Sequence, residues 1–565
     1  MLWFFRTEKF FIKIMVYYFN LYNVVSTLSL NEEFRTFVDE IFKTYLEWHP
    51  TLGTYLGLHE YDPYMDDYSK QQVLKEIETI EKWYERLFEF DLGKLDHINK
   101  VDWELLKRSF EIDLFMNRDL KMWERMNDLG GIITSAIYIL FVKDFAPFEQ
   151  RLDSIISRLT YTEKIARDLR QRCTRPVKTW SKIASEILQH AVSFLKLVEQ
   201  TAKAMDVPEE KLDRYINVES KATNVLMDFK KYLDEEVIPE APDDWAIGRE
   251  NLKKLLELRG IRESLEEILA MAERVKRETL KEIKNIGSEL YPGLSIKEIL
   301  EKIKEEHPST PEEAIEAYRK AISEAREILR KTGIVPLPEG EELLVVRTPK
   351  PFVPILPQAG YLNPGKFEKQ VGIYFVTAEP DRLKMHYYAG IKNVSFHEAY
   401  PGHHTQLVWA NRHPSIVRVL GAMGAIEFVE GWAHYVEELM VMKGYADKKV
   451  RLAQLEDQLL RAHRVILDIK MQSGELTYED AVEYLKRELG WPEVVIRGEL
   501  NWYIQRPGYP LSYLYGKMKI KQIKEKIKRK LGEKFNESQF HKAILEEGVL
   551  YLDMLEKILE EKLVR

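Results

Sequence analysis

Two short segments of the chain contain the side chains that a zinc-dependent hydrolase uses. Residues 395–406 read SFHEAYPGHHTQ, and residues 430–438 read EGWAHYVEE. A catalytic zinc ion takes three protein ligands, commonly imidazoles and a carboxylate, and a separate carboxylate accepts a proton from the attacking water. Five of the 13 histidines lie between positions 386 and 413, a concentration that favours a metal site over scattered core histidines.

The spacing of the histidines differs from the H-E-x-x-H pattern, in which both imidazoles lie on one helical face. Four residues after His397 stands Pro401, which has no N–H to donate, and the glycine at 402 tolerates backbone angles that other residues avoid. We therefore predict a two-residue bulge at 401–402 that makes His403 the partner of His397. His404 is the rival, because on an unbroken helix it returns nearly to the same face, but ~10 Å further along the axis.

The second segment supplies the predicted third ligand, Glu430, which follows the second histidine by 27 residues. Glu398, next to a predicted ligand but pointing elsewhere on the helix, is the predicted general base. His434 and Glu437 share a helical face with Glu430, and either could orient a ligand through its outer atoms. Glu438 lies off that face, and we expect it to be solvated.

The pattern H-E-x-x-P-G-H-H followed by E-G-W-A-x-Y-x-E resembles the family catalogued as domain of unknown function 885. That family is similar to the helical gluzincin zinc peptidases, such as thimet oligopeptidase and thermostable carboxypeptidase, whose motif is often H-E-F-G-H. Two further segments, PTLGTYLGLH at 50–59 and RPGYPLSY at 506–513, resemble the family's opening P-x-x-A-T-x-L-G-x-H and closing P-G-Q-A-L-S-Y. Here Gly53 stands where the opening has Ala, and Tyr509-Pro510 replaces the closing Gln-Ala.

The resemblance implies a zinc metallopeptidase that binds short peptides and acts as a carboxypeptidase or oligopeptidase. It also implies that the Tyr513 hydroxyl, with Tyr509 behind it, donates to the oxyanion. Independently of the resemblance, the guanidinium fork of Arg506 could hold a substrate carboxylate. Two alternatives stay open: a peptide-binding helical scaffold whose structural zinc is closed by His404 as a fourth ligand, and a zinc hydrolase of another amide or ester. The end of the peptide attacked, the natural substrate and the oligomeric state are left open.

Composition limits the partners and the location of the chain. With 84 Lys and Arg against 92 Asp and Glu, the net charge is −8, so no nucleic-acid partner is indicated. Cys173 is the single cysteine, which excludes an intramolecular disulfide and favours a reducing, cytoplasmic location. Residues 1–30 form a basic and aromatic extension, read either as a signal-like segment of an exported or anchored protein or as a mis-called start. No run reaches the ~20 apolar residues of a membrane span.

The periodicity of apolar residues predicts helices through most of the chain, and these helices must position the candidate site residues. Apolar residues recur at three and four positions through most of the first half, so we predict an N-terminal helical region at 31–236. A loop at 237–244 leads to a helical catalytic region at 245–565. Within it, strands at 343–347 and 371–376 predict a small sheet next to the metal helix, either a substrate shelf or plain core. The predicted fold is mainly α and gluzincin-like, with a central substrate cleft.

Overall fold

The computed structural model describes residues 29–348, 353, 358–421 and 424–564. The predicted extension at 1–30 lies outside the described residues except for its last two. The fold is mainly helical with one three-stranded sheet, so the predicted class is confirmed. Among the described residues, no helix combines the length and the apolar character needed to cross a bilayer.

The first half of the chain is a succession of helices. They are α1 (Leu30–Trp48), α2 (Pro50–Leu56), α3 (Lys70–Leu87), α4 (His97–Leu114), α5 (Leu129–Val142), α6 (Phe148–Leu159), α7 (Thr162–Arg172), α8 (Lys178–Ala204), α9 (Glu209–Tyr232), α10 (Ile238–Glu240), α11 (Arg249–Leu258), α12 (Leu265–Leu290), α13 (Ile296–Ile303) and α14 (Pro311–Thr332). The prediction of a loop at 237–244 is partly wrong. A single π-helical turn at Leu233–Val237 follows α9 and leads directly into α10, so helical structure ends only at Glu240.

The second half contains the sheet and the remaining helices. The strands are β1 (Glu342–Arg347), β2 (Ala359–Leu362) and β3 (Val371–Val376), and the helices are α15 (Tyr388–Glu398), α16 (His403–Arg412), α17 (Ile416–Leu420), α18 (Ile426–Met442), α19 (Lys448–Gln472), α20 (Tyr478–Leu489), α21 (Glu493–Tyr503), α22 (Ser512–Leu531), α23 (Glu537–Glu546) and α24 (Leu552–Val564). The main apolar core takes side chains from both predicted regions, for example Phe34 of α1 and Trp432 of α18.

The sheet has the strand order β1-β3-β2, with β1 parallel and β2 antiparallel to β3. Both predicted strands are present as β1 and β3, whereas β2 escapes prediction because its four residues carry no alternating pattern. Gly372 of β3 packs directly on α16, where an added Cβ would lie 2.7 Å from Nδ1 of His404. The sheet therefore lies beside the helix that carries the predicted metal ligands.

Candidate metal centre

The segment between the two histidines breaks the helix completely. The sequence predicts a bulge within one helix, but α15 ends at Glu398 and α16 begins only at His403. Gly402 lies against the last turn of α15, where an added Cβ would stand 1.7 Å from the carbonyl oxygen of His397. The bulge is thus corrected to a four-residue turn, which forms because Pro401 cannot donate an intrahelical bond and Gly402 permits this close return.

The turn brings the two predicted imidazoles together with Glu430. Nε2 of His397 lies 3.6 Å, and Nε2 of His403 lies 3.4 Å, from the same carboxylate oxygen, Oε2 of Glu430. Two ligand atoms, each about 2.0–2.1 Å from a tetrahedral zinc ion, stand about 3.3 Å apart. The donor set and its spacing therefore fit a zinc ion. Glu398 is close as well, since its carboxylate and the two imidazoles lie within 4.8 Å of one another.

Helix α18 carries Glu430, and two close contacts fix the position of this helix. A Cβ on Gly431 would lie 2.5 Å from the backbone of Gly516, so only glycine allows α18 and α22 to cross at this distance. The next residue, Trp432, donates its indole N–H to the carbonyl oxygen of Pro401 at 3.0 Å. Glu430 thus stands between a helix crossing and the turn that positions both imidazoles.

A buried carboxylate contacts the imidazole of His397 through Nδ1, the ring nitrogen that does not face Glu430. Oε1 of Glu437 lies 2.6 Å from Nδ1 of His397, and this contact turns Nε2 of the imidazole towards Glu430. Nδ1 of His434 contacts the other oxygen of Glu437 at 3.1 Å. Of the two residues considered for orienting a ligand, Glu437 therefore touches the imidazole itself, and His434 acts only on Glu437.

The buried cluster favours positive charge between its carboxylates. Burial alone would lower the pKa of His397, but the nearby carboxylates of Glu430 and Glu437 outweigh it and raise that pKa to about 10. Burial opposes ionisation of Glu430 and Glu437, yet their histidine partners, with Arg461 beside Glu437, hold both carboxyl pKa values well below the ordinary range. Carboxylates arranged in this way would also stabilise a divalent cation.

His404 points away from the cluster, and both of its ring nitrogens have other partners. Nδ1 lies 3.0 Å from the hydroxyl of Tyr361 on β2, and Nε2 lies 3.0 Å from Oε2 of Glu341. The side chain is completely buried. The structure therefore brings His403, and not its rival His404, to Glu430.

The C-terminal residues predicted to meet substrate surround one side of the cluster. The Tyr509 hydroxyl donates to Oε1 of Glu430 at 2.7 Å, so in this structure Tyr509 orients a predicted ligand. The Tyr513 ring is nearly parallel to that of His397, with 6.3 Å between the ring centres. Burial raises the pKa of Tyr513 well above its usual value, which keeps its hydroxyl protonated as a donor. Arg506 is exposed, with its guanidinium 5.8 Å from the Tyr509 ring centre.

Two predicted carboxylates differ in their surroundings. Glu398 is half-buried, and its carboxylate makes no hydrogen bond within the described part of the chain. The expectation that Glu438 is solvated is wrong, because its two oxygens each lie 2.6 Å from a lysine, Lys517 and Lys521 of the neighbouring α22. A partly buried charge needs such partners, and the sequence pattern does not reveal them.

Asp468 supports the site in a way that sequence reasoning missed. It is buried, and its two oxygens accept the backbone N–H groups of Gly508 and Leu511, both at 3.1 Å. These bonds fix the loop that carries Tyr509, and burial raises the Asp468 pKa to about 7. No motif marks this lone aspartate on α19, so nothing in the sequence could have revealed its role.

Comparisons with known proteins describe the fold but assign no activity. The profile of the family described as "Bacterial protein of unknown function (DUF885)" matches residues 50–559. A putative lipoprotein of unknown function from Shewanella oneidensis superposes with a TM-score of 0.75 at 20% identity, over 94% of this chain and 100% of that one. A putative lipoprotein from Colwellia psychrerythraea superposes with a TM-score of 0.83 at 18% identity, over 95% and 100%. Among curated proteins, none matches the chain.

Proposed function

The chain belongs to the DUF885 family of unknown function, and from the geometry of its cluster we propose that it is a zinc-dependent peptidase. One observation carries the proposal: Nε2 of His397 and Nε2 of His403 lie 3.6 and 3.4 Å from one oxygen of Glu430, the spacing of ligands around a tetrahedral ion. The substrates we propose are short peptides, cleaved by a carboxypeptidase or oligopeptidase reaction in a central cleft.

In this proposal His397, His403 and Glu430 hold the zinc ion. Zinc, when bound, polarises the scissile carbonyl and lowers the pKa of a water towards ~7. Glu398 accepts a proton from the attacking water and passes it to the leaving amine nitrogen, a role suited to a carboxylate that no hydrogen bond occupies within the described residues. The Tyr513 hydroxyl, kept protonated by burial, donates to the developing oxyanion.

The alternative with a closed structural zinc needs a fourth protein ligand, and His404 is the candidate. Both ring nitrogens of His404 are bound at 3.0 Å to Tyr361 and Glu341. This arrangement favours a site with three protein ligands and an open position, as in catalytic zinc sites. Hydrolysis of another amide or ester would use the same groups. Measuring which classes of substrate the protein cleaves distinguishes that activity from peptide cleavage.

For location, we propose the exported or anchored alternative over the cytoplasmic one. Two of the similar solved structures are described as putative lipoproteins, and this is the support for the choice. Fractionation of cells that produce the protein, followed by immunodetection, measures the location. Recovery only in the cytoplasmic fraction would contradict the proposal.

The decisive experiment compares wild-type protein with Glu398→Gln after zinc loading. Zinc content is measured by mass spectrometry, and a mixture of peptides is sequenced before and after incubation. We expect both proteins to hold one zinc ion, and only the wild type to shorten or cut peptides, because the amide cannot accept the proton. The change in peptide lengths also reports which end is attacked.

A matched control is Glu60→Gln, which alters the chain's other His-Glu dipeptide, His59-Glu60, at an exposed position. This variant should cleave peptides like the wild type. An active Glu398→Gln variant would remove Glu398 from the mechanism, and wild-type protein that binds zinc but cleaves nothing would favour the scaffold.

A further inference from the structure

The two imidazoles at the centre are supported unequally. Nδ1 of His397 is held by Glu437 at 2.6 Å, whereas Nδ1 of His403 is buried and has no hydrogen-bond partner within the described part of the chain. Histidine ligands of metals almost always donate their other nitrogen to a carboxylate, carbonyl or water, which fixes the ring orientation. Something else must therefore hold His403 in place.

The residues on both sides of His403 are tied to one carboxylate. The Tyr400 hydroxyl, three positions earlier, donates to Oε2 of Glu341, and Nε2 of His404, one position later, lies 3.0 Å from the same oxygen. The backbone of His403 is thus bracketed by two side chains that converge on a single atom. A movement of Glu341 would shift the start of α16 and the imidazole with it.

Glu341 is itself held firmly from outside the cluster. It is only 5% exposed, and it stands just before β1. Arg326 of α14 donates Nε to Oε1 of Glu341 at 2.8 Å and Nη2 to the backbone oxygen of Glu341 at 2.9 Å. The carboxylate is therefore anchored to α14 and the sheet, elements that carry none of the three candidate ligands.

We propose that Glu341 is the positioning residue of His403: through Tyr400 and His404 it fixes the imidazole that has no outer partner of its own. The inference rests on the proposed zinc site and adds another carboxylate to its support. Glu341 does not touch the ion. It acts on the metal only by holding the backbone on both sides of one ligand.

The test measures zinc affinity by competition with a chromophoric chelator, and the visible spectrum of bound Co²⁺ in place of zinc. In Glu341→Gln an amide N–H₂ must replace one accepting oxygen and the negative charge is removed, so at least one hydrogen bond of this carboxylate is lost or must reverse its direction. We expect zinc to bind about 10–100-fold more weakly, the usual loss when an outer partner of a metal ligand is removed. The Co²⁺ spectrum should also change, because the geometry around the ion changes.

A second variant, Tyr400→Phe, removes one hydroxyl and keeps the ring. It should also weaken zinc binding, and the double variant Glu341→Gln/Tyr400→Phe should bind no more weakly than Glu341→Gln alone, since both changes break one network. The matched control is Glu219→Gln. Glu219 is fully buried and bonded to Lys196 at 2.8 Å and Thr223 at 2.9 Å, but it lies in a separate core.

The Glu219 variant should lose stability and keep both the wild-type zinc affinity and the Co²⁺ spectrum. Wild-type zinc affinity and an unchanged spectrum in Glu341→Gln would overturn the inference, and if that variant does not fold, wild-type affinity in Tyr400→Phe would do so. Absence of zinc binding in the wild type would instead refute the zinc site, and this inference with it.

Discussion

Replacing Gly402 with alanine tests whether the turn between α15 and α16 builds the metal site. The new Cβ would lie 1.7 Å from the carbonyl oxygen and 2.4 Å from the carbonyl carbon of His397, both backbone atoms that cannot rotate away. Ordinary van der Waals contact begins at 3.4 Å, so a shift of about 1.7 Å is required, whereas metal–ligand distances tolerate only about 0.2 Å. His403 can then no longer share an ion with His397 and Glu430.

We expect Gly402→Ala to weaken zinc binding by more than about 100-fold, which exceeds the loss expected when an outer partner of a metal ligand is removed. Overpacking should also lower the free energy of unfolding by about 3 kcal/mol. Chelator competition and urea unfolding measure the two effects. Gly498→Ala is the control, because this exposed helical glycine has no atom within 4 Å of an added Cβ, and alanine there should be neutral or stabilising. Wild-type zinc affinity in Gly402→Ala would refute the role of the turn.

Two further changes probe other parts of the structure. Glu437→Gln should weaken zinc binding by about 10–100-fold, because Glu437 orients the imidazole of His397; unchanged affinity in chelator competition would show that the contact is dispensable. Burial lowers the pKa of His541 to about 4, below the ordinary value of 6.5. The unfolded chain therefore binds a proton that the fold excludes, so the free energy of unfolding should fall by up to about 3 kcal/mol as the pH drops from 6.5 to 4. His541→Gln should flatten this dependence in urea unfolding, and an equally steep slope would assign it to other groups.

The helical class and the two longer strands could be predicted because they depend on periodicity along the chain. The position of β2 and the end of the helical structure after α9 could not be predicted. The four residues of β2 do not alternate between apolar and polar, and the π-helical turn after α9 has no characteristic periodicity. The existence of the break between α15 and α16 could be predicted, because Pro401 and Gly402 indicate an interruption of the helix. Its extent depends on the packing of Gly402 on the carbonyl of His397, which only tertiary structure reveals.

The candidate site shows the same limit. Its imidazoles and Glu430 occur in two compact motifs, so their types and spacing could be interpreted from the amino-acid sequence alone. Glu341 and Asp468 lie outside both motifs, and their importance comes from which backbone and side-chain groups they contact. Long-range hydrogen bonds of this kind have no sequence period, and a lone buried acid looks the same as a solvated one.

The hydrogen bonds proposed to support His403 also favour one of the two zinc alternatives over the other. Successive residues on a helix point about 100° apart, so His403 and His404 cannot both face one ion at the start of a regular α16. For His404 to become a fourth ligand, its imidazole would have to leave Glu341 and Tyr361, which would remove one partner from a buried carboxylate and leave the Tyr361 hydroxyl unpaired within the described residues. An unpaired buried polar group costs about 1–3 kcal/mol, and this cost favours the proposal in which His404 stays on Glu341 and is not a zinc ligand.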